Sequence, residues 1–477
     1  MTAPTTKNSS QPLRSPSPMS RGRSYLKDIA SRPYFDYFSV LIITVLLSGI
    51  GVAMVMSASM ATSMALTGSV WSQPRRQLIM VAIGFVVMLL AIRTRPTTVR
   101  KYVSGLLILS FASLILVLTP LGTGLASKGS QSWIAFAGIS FQPSEIARMT
   151  IVIWGAHMLA SARGYQNLPW QVDPYKKLAI VSLAMFALIV AERDIGMAMN
   201  FALVVVLLFF YAGLPTVFFK AFATIAAIAL IPAYFILQNS FRGERITVWK
   251  SAFFGYFDDP RDIGYQSYQG YLSLADGSLF GVGLGQSRAK WFYLPEAKND
   301  FIFAIIGEEL GLIGAFVVVA LFAWLAIVGL RIAKRSQSSY LRLLAPTLAS
   351  AIVFQAFYNV AYVLGLAPIT GIQLPMISSG GTSALITLGA MGLIANAARY
   401  EPEAISAMQS NGRPTIDAVF MLPEPTPVDE IVQRGQRMNH AGQSFVRGER
   451  RKAVPRRELP APRRTMRDQQ RSYPPRG

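Results

Sequence analysis

The 477-residue sequence contains no cysteine, which excludes disulfides, thiolate metal sites, iron–sulfur clusters and cysteine nucleophiles. Histidine is nearly absent: His157 and His440 are the whole supply, too few for histidine-based zinc catalysis and a poor basis for a Ser–His triad. Charge is scarce as well, at 14% of residues against about 25% in a typical soluble domain. No G-x-x-x-x-G-K-[ST] segment occurs, so an ATP-driven pump is not encoded in this chain alone. What is abundant is apolar: 52% of residues are hydrophobic and the mean hydropathy is +0.40.

The formal charge of +21 would suit a nucleic-acid partner, but its placement argues otherwise. Residues 1–32 carry a net +5 and residues 431–477 a net +10, so the two ends hold most of the excess. The middle is close to neutral, and no basic groove for nucleic acid is expected there.

Apolar runs long enough to span a bilayer recur at about 37–59, 78–93, 103–120, 144–162, 177–192, 196–213, 217–237, 301–330, 343–365 and 381–398. They predict an all-α polytopic membrane protein, a bundle of about ten transmembrane helices. Arg93, Arg95, Arg100, Lys101, Arg163, Lys176, Lys177, Lys220, Arg331, Lys334, Arg335 and Arg342 fall in one set of loops. The short opposite loops hold Arg75, Arg76, Lys128 and Arg193. By the positive-inside bias the first set is cytoplasmic, both termini lie inside, and the large loop 238–300 between helices 7 and 8 lies outside. The first span lies too deep in the chain, without a small-residue cleavage signal, to read as a removed signal peptide. Residues 1–35 and 401–477 are expected as disordered basic tails flanking a membrane domain at 36–400. The C-terminal arm suits either anionic lipid headgroups or a cytoplasmic partner. No internal repeat is evident.

Polar chemistry at membrane depth is the informative signal, because ionisable groups there are costly unless paired or hydrated. Gln142-Pro143-Ser144-Glu145 reads as a helix start, with Glu145 favoured in the first turn and Arg148 three residues on. The pair suits a cap with an internal ion pair or a site; nearby Trp133 suits an interfacial anchor. Glu192-Arg193-Asp194 is either a solvated hairpin tip or a phosphate-binding arginine between carboxylates. Within the large loop come Gly264-Tyr265-Gln266, then Gly277, Gly281, Gly283 and Gly285, then Leu294-Pro295-Glu296-Ala297-Lys298-Asn299-Asp300. Asp300 stands where the apolar run resumes, as an N-cap or a functional carboxylate, with Glu308 and Glu309 further in. Gly371 to Ser383, with Ser378, Gly380 and Gly381, is either a re-entrant loop lining a cavity or a short outer loop.

Taken in order, these motifs resemble the SEDS family (shape, elongation, division and sporulation), the FtsW/RodA/SpoVE polytopic membrane proteins of bacteria. The resemblance covers about residues 35–400. It rests on Trp133 with Gln142 to Glu145; Asp194-Ile195-Gly196; Gly264-Tyr265-Gln266; Leu294 to Phe303 with Glu308-Glu309-Leu310-Gly311; and Leu374-Pro375 with Ser378 and Gly380-Gly381. The end of the last span, through Glu403, and the long C-terminal arm are more similar to the division branch, as found in actinobacteria, than to the elongation branch.

The resemblance implies a peptidoglycan glycosyltransferase that joins lipid II units into glycan strands on the outer face of the bacterial cytoplasmic membrane, at the division septum. It implies a class B penicillin-binding protein and other division proteins as partners. Asp300 matches the family's essential aspartate, as general base or acceptor-orienting group. Glycan extension also needs positive charge near the departing diphosphate. The candidates are Arg148, where the family usually carries lysine, with Arg193, Lys290 and Lys298. A divalent cation such as magnesium or manganese on Glu296 and Asp300 is the alternative; no other cofactor is implied. Glu145, Trp133, Asp194, Gln266, Ser378, Gly380 and Gly381 complete the expected lipid II site. The chain departs from the pattern at Ser132, at Glu192-Arg193, at Met197 and at Lys298-Asn299. Competing readings are a lipid II flippase, an elongation-type polymerase, and a non-catalytic scaffold.

Overall fold

The computed structural model describes residues 32–125, 129–136, 139–161, 173–237, 241–254, 264–291 and 293–426. Most of both predicted tails, 1–31 and 427–477, therefore lies outside the described residues, as do Lys128 and Arg163.

Helices begin where the chain's punctuation places them. Three membrane helices come first: α1 (Phe35–Thr67), α2 (Ser72–Arg93) and α3 (Pro96–Val117). Gly68 ends α1 in the left-handed region (φ 67°), with its N–H on the Met64 carbonyl. After α3 a small antiparallel sheet forms from β1 (Gly122–Thr123), β2 (Trp133–Phe136) and β3 (Ile139–Phe141), with Thr123 opposite Trp133 and Ile134 opposite Phe141. The apolar pattern alone did not predict this sheet.

Next are α4 (Pro143–Ser161), α5 (Pro174–Ala191), α6 (Ile195–Tyr211) and α7 (Thr216–Leu237). Asp173 caps α5 by accepting from Tyr175 N at 3.0 Å, and Asp194 caps α6 by accepting from Met197 N at 3.0 Å. The large loop is not featureless: it contains α8 (Phe241–Phe253) and α9 (Gly264–Asp276). The last spans are α10 (Ile302–Arg335), α11 (Ser339–Val363) and α12 (Gly381–Arg399).

Among the described residues seven helices (α1, α2, α3, α5, α10, α11 and α12) are long and apolar enough to cross a membrane, and α6 is a shorter apolar helix. The most apolar stretch of α11 is 83% buried, against 17% for that of α3. The first is therefore the central helix and the second faces outward; α11 packs on α4, α6, α10 and α12. Lipid gives little hydrophobic drive between helices, so close packing and polar contacts hold them. Where α12 runs along α2, a side chain at Gly392 would overlap the Met88 carbonyl, and Asn396 Nδ2 lies within 3.1 Å of the Ala91, Ile92 and Thr94 carbonyls. Those carbonyls, at the end of α2, are thereby satisfied.

Two expectations need correction. The run 301–330 reads as one span, but α10 breaks at Gly311, whose φ of 68° and ψ of −169° are open only to glycine. The loop glycines fill the break: Val282 N donates to Glu308 O (2.9 Å), Gly283 N to Glu309 O (3.1 Å) and Leu312 N to Ser278 O (3.0 Å). A side chain at Gly281 would overlap the Glu309 carbonyl. The C-terminal tail, expected as disordered from 401, instead continues as α13 (Pro402–Asn411) and α14 (Thr415–Val419). A buried Arg399–Asp417 pair at 2.7 Å, joined by Tyr37 OH donating to Asp417 at 2.8 Å, ties this segment to both ends of the bundle's chain. Beside it, Arg331 and Arg335 bind Asp36, and Arg335 also meets Glu401 and Glu403.

Candidate active site

The segment 371–380, between α11 and α12, is the organising wall of the site. On one side it is zipped to the end of the large loop: Ser379 N donates to Lys298 O (2.9 Å) and Ser378 Oγ to Asn299 O (2.6 Å). Ser378 Oγ also receives Leu374 N at 2.8 Å. Asp300 is half-buried here. Its backbone carbonyl is held by Asn359 Nδ2 (3.0 Å) and Tyr362 OH (2.8 Å), both of which also reach the Ile372 carbonyl. Its Oδ2 lies against the Gly371 backbone, where a Cβ would stand 3.4 Å away. Lys298 Nζ donates to Gln73 Oε1 on α2 at 2.6 Å, and burial lowers its pKa from the ordinary lysine value. Gln266 Nε2 donates to Pro295 O at 3.1 Å, Glu296 is exposed beside Asn299, and Gly380 caps α12, which Gly381 begins.

On its other side the wall meets a buried polar chamber. Gln355 Nε2 donates to Gln373 O (2.9 Å), while Gln355 Oε1 accepts from Arg148 Nη1 and faces Asn200 Nδ2 at 3.5 Å. Glu145 lies within electrostatic reach of Arg148 on the same helix, with Ser383 near its carboxylate, but the two do not close to an ion pair. Gln142 Nε2 donates to Asp194 Oδ2 at 2.8 Å. Among the described residues, Glu145 Oε2, Arg148 Nε, Asn200 Oδ1 and Gln373 Oε1 are buried with no hydrogen-bond partner. Four unused polar atoms around one chamber are costly unless water or a polar ligand meets them.

The structure thus gathers Asp300, Lys298, Gln266 and Glu296, with Ser378 of the wall itself, on one side, while Gly380 and Gly381 start α12 against Gln373 and Met80. Glu145, Arg148 and Asp194 lie on the other side of the wall. Trp133 is in β2 and Arg193 is exposed at the α5–α6 tip in the left-handed region (φ 60°); Gln131 N donates to Glu192 O, which holds these two loops together. Lys290 is elsewhere. Its Nζ is buried 3.4 Å from Glu309 Oε1 and 3.3 Å from Ser57 Oγ, in the broken part of α10. No group of three or more His, Cys, Asp or Glu side chains among the described residues could hold a metal ion, and Glu296 faces Asn299.

Sequence reasoning missed Gln355, Asn359 and Tyr362. They sit four and three apart on the central helix, a helical-period polar stripe that could have been found. It also missed Arg245 of α8, which donates to Ile369 O at 3.5 Å and, like Asp300, lies within electrostatic reach of Tyr362.

Apolar spans packed around a buried polar cluster, walled by an irregular segment at one end, define a polytopic membrane protein. The family model for FtsW, RodA and SpoVE, described as cell cycle protein, matches residues 38–403, and the chain belongs to this family. A relative from Mycobacterium tuberculosis, the "Probable peptidoglycan glycosyltransferase FtsW", is 40% identical over 397 residues, covering 83% of this chain and 74% of that one. The stage V sporulation protein E of Bacillus subtilis is 34% identical over 361 residues, covering 76% and 96%. Among solved structures, a peptidoglycan synthase complex of coordinated polymerization and crosslinking matches at TM-score 0.61 and 22% identity, over 77% of this chain and 98% of that one. Thermus thermophilus rod shape determining protein RodA matches at 0.55 and 21%, over 76% and 96%. At these identities the structural matches speak for the fold.

Proposed function

We propose that the chain is a peptidoglycan glycosyltransferase of cell division that polymerises lipid II at the outer face of the cytoplasmic membrane. The observation that carries the reading is the shared wall 371–380, which sets the Asp300 carboxylate on one side and the Arg148 guanidinium, with unused polar atoms, on the other. Family membership and relatives named peptidoglycan glycosyltransferase support the reaction class.

In the reaction a sugar hydroxyl of one chain attacks the anomeric carbon of another. The new C–O bond forms as the bond to the lipid diphosphate breaks, and the hydroxyl proton passes to Asp300. Lys298, on the Asp300 side of the wall, stabilises the charge gathering on the diphosphate, and Arg148, held by Gln355 and buried beyond the wall near Glu145, adds its positive field from the other side. A ten-helix count, with both termini on the cytoplasmic side, adds α4 and α7 to the eight apolar helices and rests on the placement of the basic loops. A class B penicillin-binding protein at the septum is the partner that such a reaction calls for.

The test is glycan polymerisation from lipid II by the purified chain with its class B partner, comparing wild type with Asp300→Asn. Polymer from the wild type alone, with the variant folded, supports the assignment. Equal activity removes Asp300 from the chemistry. Transfer of lipid II across liposomes without polymer from either protein would replace the enzyme with a flippase.

A further inference from the structure

The arginines at the basic end of the bundle differ in how their charge is met. Arg331 and Arg335 face Asp36, Glu401 and Glu403; Arg399 faces Asp417; Arg413 faces Glu424. Arg100, about one turn into α3, has none of this. Its Nε donates to His157 Nδ1 of α4 at 2.9 Å and its Nη2 to Ser161 Oγ at 3.4 Å, while Cζ lies 5.6 Å from the centre of the Tyr340 ring of α11. Because His157 Nδ1 accepts, the imidazole is neutral and supplies no counter-charge. Among the described residues no carboxylate lies within ion-pair distance of Arg100.

Three helices therefore hold one guanidinium in a fixed orientation without neutralising it. A guanidinium has five N–H donors, and these two hydrogen bonds leave three of them for other acceptors. The Tyr340 hydroxyl is buried and also without a partner among the described residues. Beside the site, Lys101 Nζ lies 5.4 Å from the centre of the exposed Tyr102 ring, an amphipathic pairing suited to the headgroup layer. Basic pockets between membrane helices take lipid phosphates, and the planar fork of arginine suits them.

We propose that Arg100, oriented by His157, Ser161 and Tyr340, binds the headgroup phosphate of an anionic phospholipid in the leaflet at the basic end of the bundle. The lipid source, rather than free phosphate, follows from the setting. The cation sits at the end of outward-facing α3, whose neighbouring surface is apolar and exposed at Tyr102, Ile108 and Leu109. This inference depends on membrane embedding and not on the reaction proposed for the opposite face.

The experiment uses the full chain in detergent. Its thermal midpoint is followed while phosphatidylglycerol, phosphatidylcholine or inorganic phosphate is added. The wild type should show a saturable rise with phosphatidylglycerol and none with the other two. Arg100→Gln should weaken the apparent affinity about tenfold, as expected for a lost charge-assisted hydrogen bond. Arg100→Lys, which keeps the charge but not the fork, should lose part of it, and it carries the test if Arg100→Gln does not fold. The basic tails attract anionic lipid in every variant, so the difference from wild type is the readout. Wild-type affinity in the folded variants, or an equal response to phosphatidylcholine, overturns the site. An equal response to inorganic phosphate overturns the lipid assignment.

Discussion

Replacing Lys290 with methionine separates a structural charge from a substrate-binding one. Lys290 Nζ and the Glu309 carboxylate have side chains 1% and 0% exposed and lie 3.4 Å apart. Removing one partner of such a pair strands the other, at about 3–5 kcal/mol. Glu309 Oε1 would keep Ser57 Oγ at 2.6 Å and Ser287 N at 3.2 Å, which places the expected cost near the lower end, about 3 kcal/mol. Adding Glu309→Gln removes the stranded charge while keeping an acceptor, so the double variant should recover about half of the loss. Reversible unfolding in mixed micelles measures both. A Lys290→Met protein within about 0.5 kcal/mol of wild type would refute the argument, because a change of that size is ordinary for a surface site. Polymerisation by the same proteins then decides the role of Lys290. A stable, active double variant leaves Lys290 as a brace of the broken helix, whereas a stable but inactive one makes it a substrate contact.

Lys298→Ala should lower polymerisation at least tenfold without loss of fold, checked by single-turnover assay; near-normal activity would remove Lys298 from the diphosphate. Burial, followed by the nearby Asp36 charge, raises the Glu401 pKa to about 8 from an ordinary 4.5. The folded state thus holds more protons than the unfolded one between those values. The contribution of Glu401 is fully present below the unfolded pKa and is lost as pH rises through the folded one. The thermal midpoint should fall between pH 5 and pH 8.5, with a shallower slope in Glu401→Gln; identical slopes would contradict the assignment. Asp417→Ala leaves the buried Arg399 guanidinium unpaired and should release the segment 402–425, read as faster proteolysis there at an unchanged cleavage rate in the outer loops. Equal protection of that segment in variant and wild type would show that the pair does not hold it.

The membrane helices were legible because their signal is compositional and local. Long apolar runs bounded by Pro96, Pro143, Pro174 and Gly68 announce their own limits. The break in α10 was not legible, because Gly311 is one glycine in an apolar run and the hydrogen-bonding partners of the residues flanking it lie some thirty residues earlier, at Ser278 to Gly283. The proximity of Glu145 to Arg148 could be read from spacing on one helix. That Lys290 would meet Glu309, or that Gln355 would meet Arg148, depends on which helices adjoin, which no local pattern states. The helical tail segment escaped notice for the same reason: its order comes from Arg399 and Tyr37, distant in sequence from Asp417.

The interruption at Gly311 also alters the mechanics of the span that follows Asp300. Residues 302–310 are a short stub, gripped by the 278–283 loop and by the contacts of Glu308 and Glu309, rather than the tip of a long lever. The same loop also receives Leu312 N on the Ser278 carbonyl and Ile313 N on the Leu279 carbonyl, beyond Gly311, so both limbs of the broken span are pinned to it. Any displacement of 278–283 is thereby felt on both sides of the break, a coupling between the outer loop and the helix next to Asp300 that an unbroken helix would not provide.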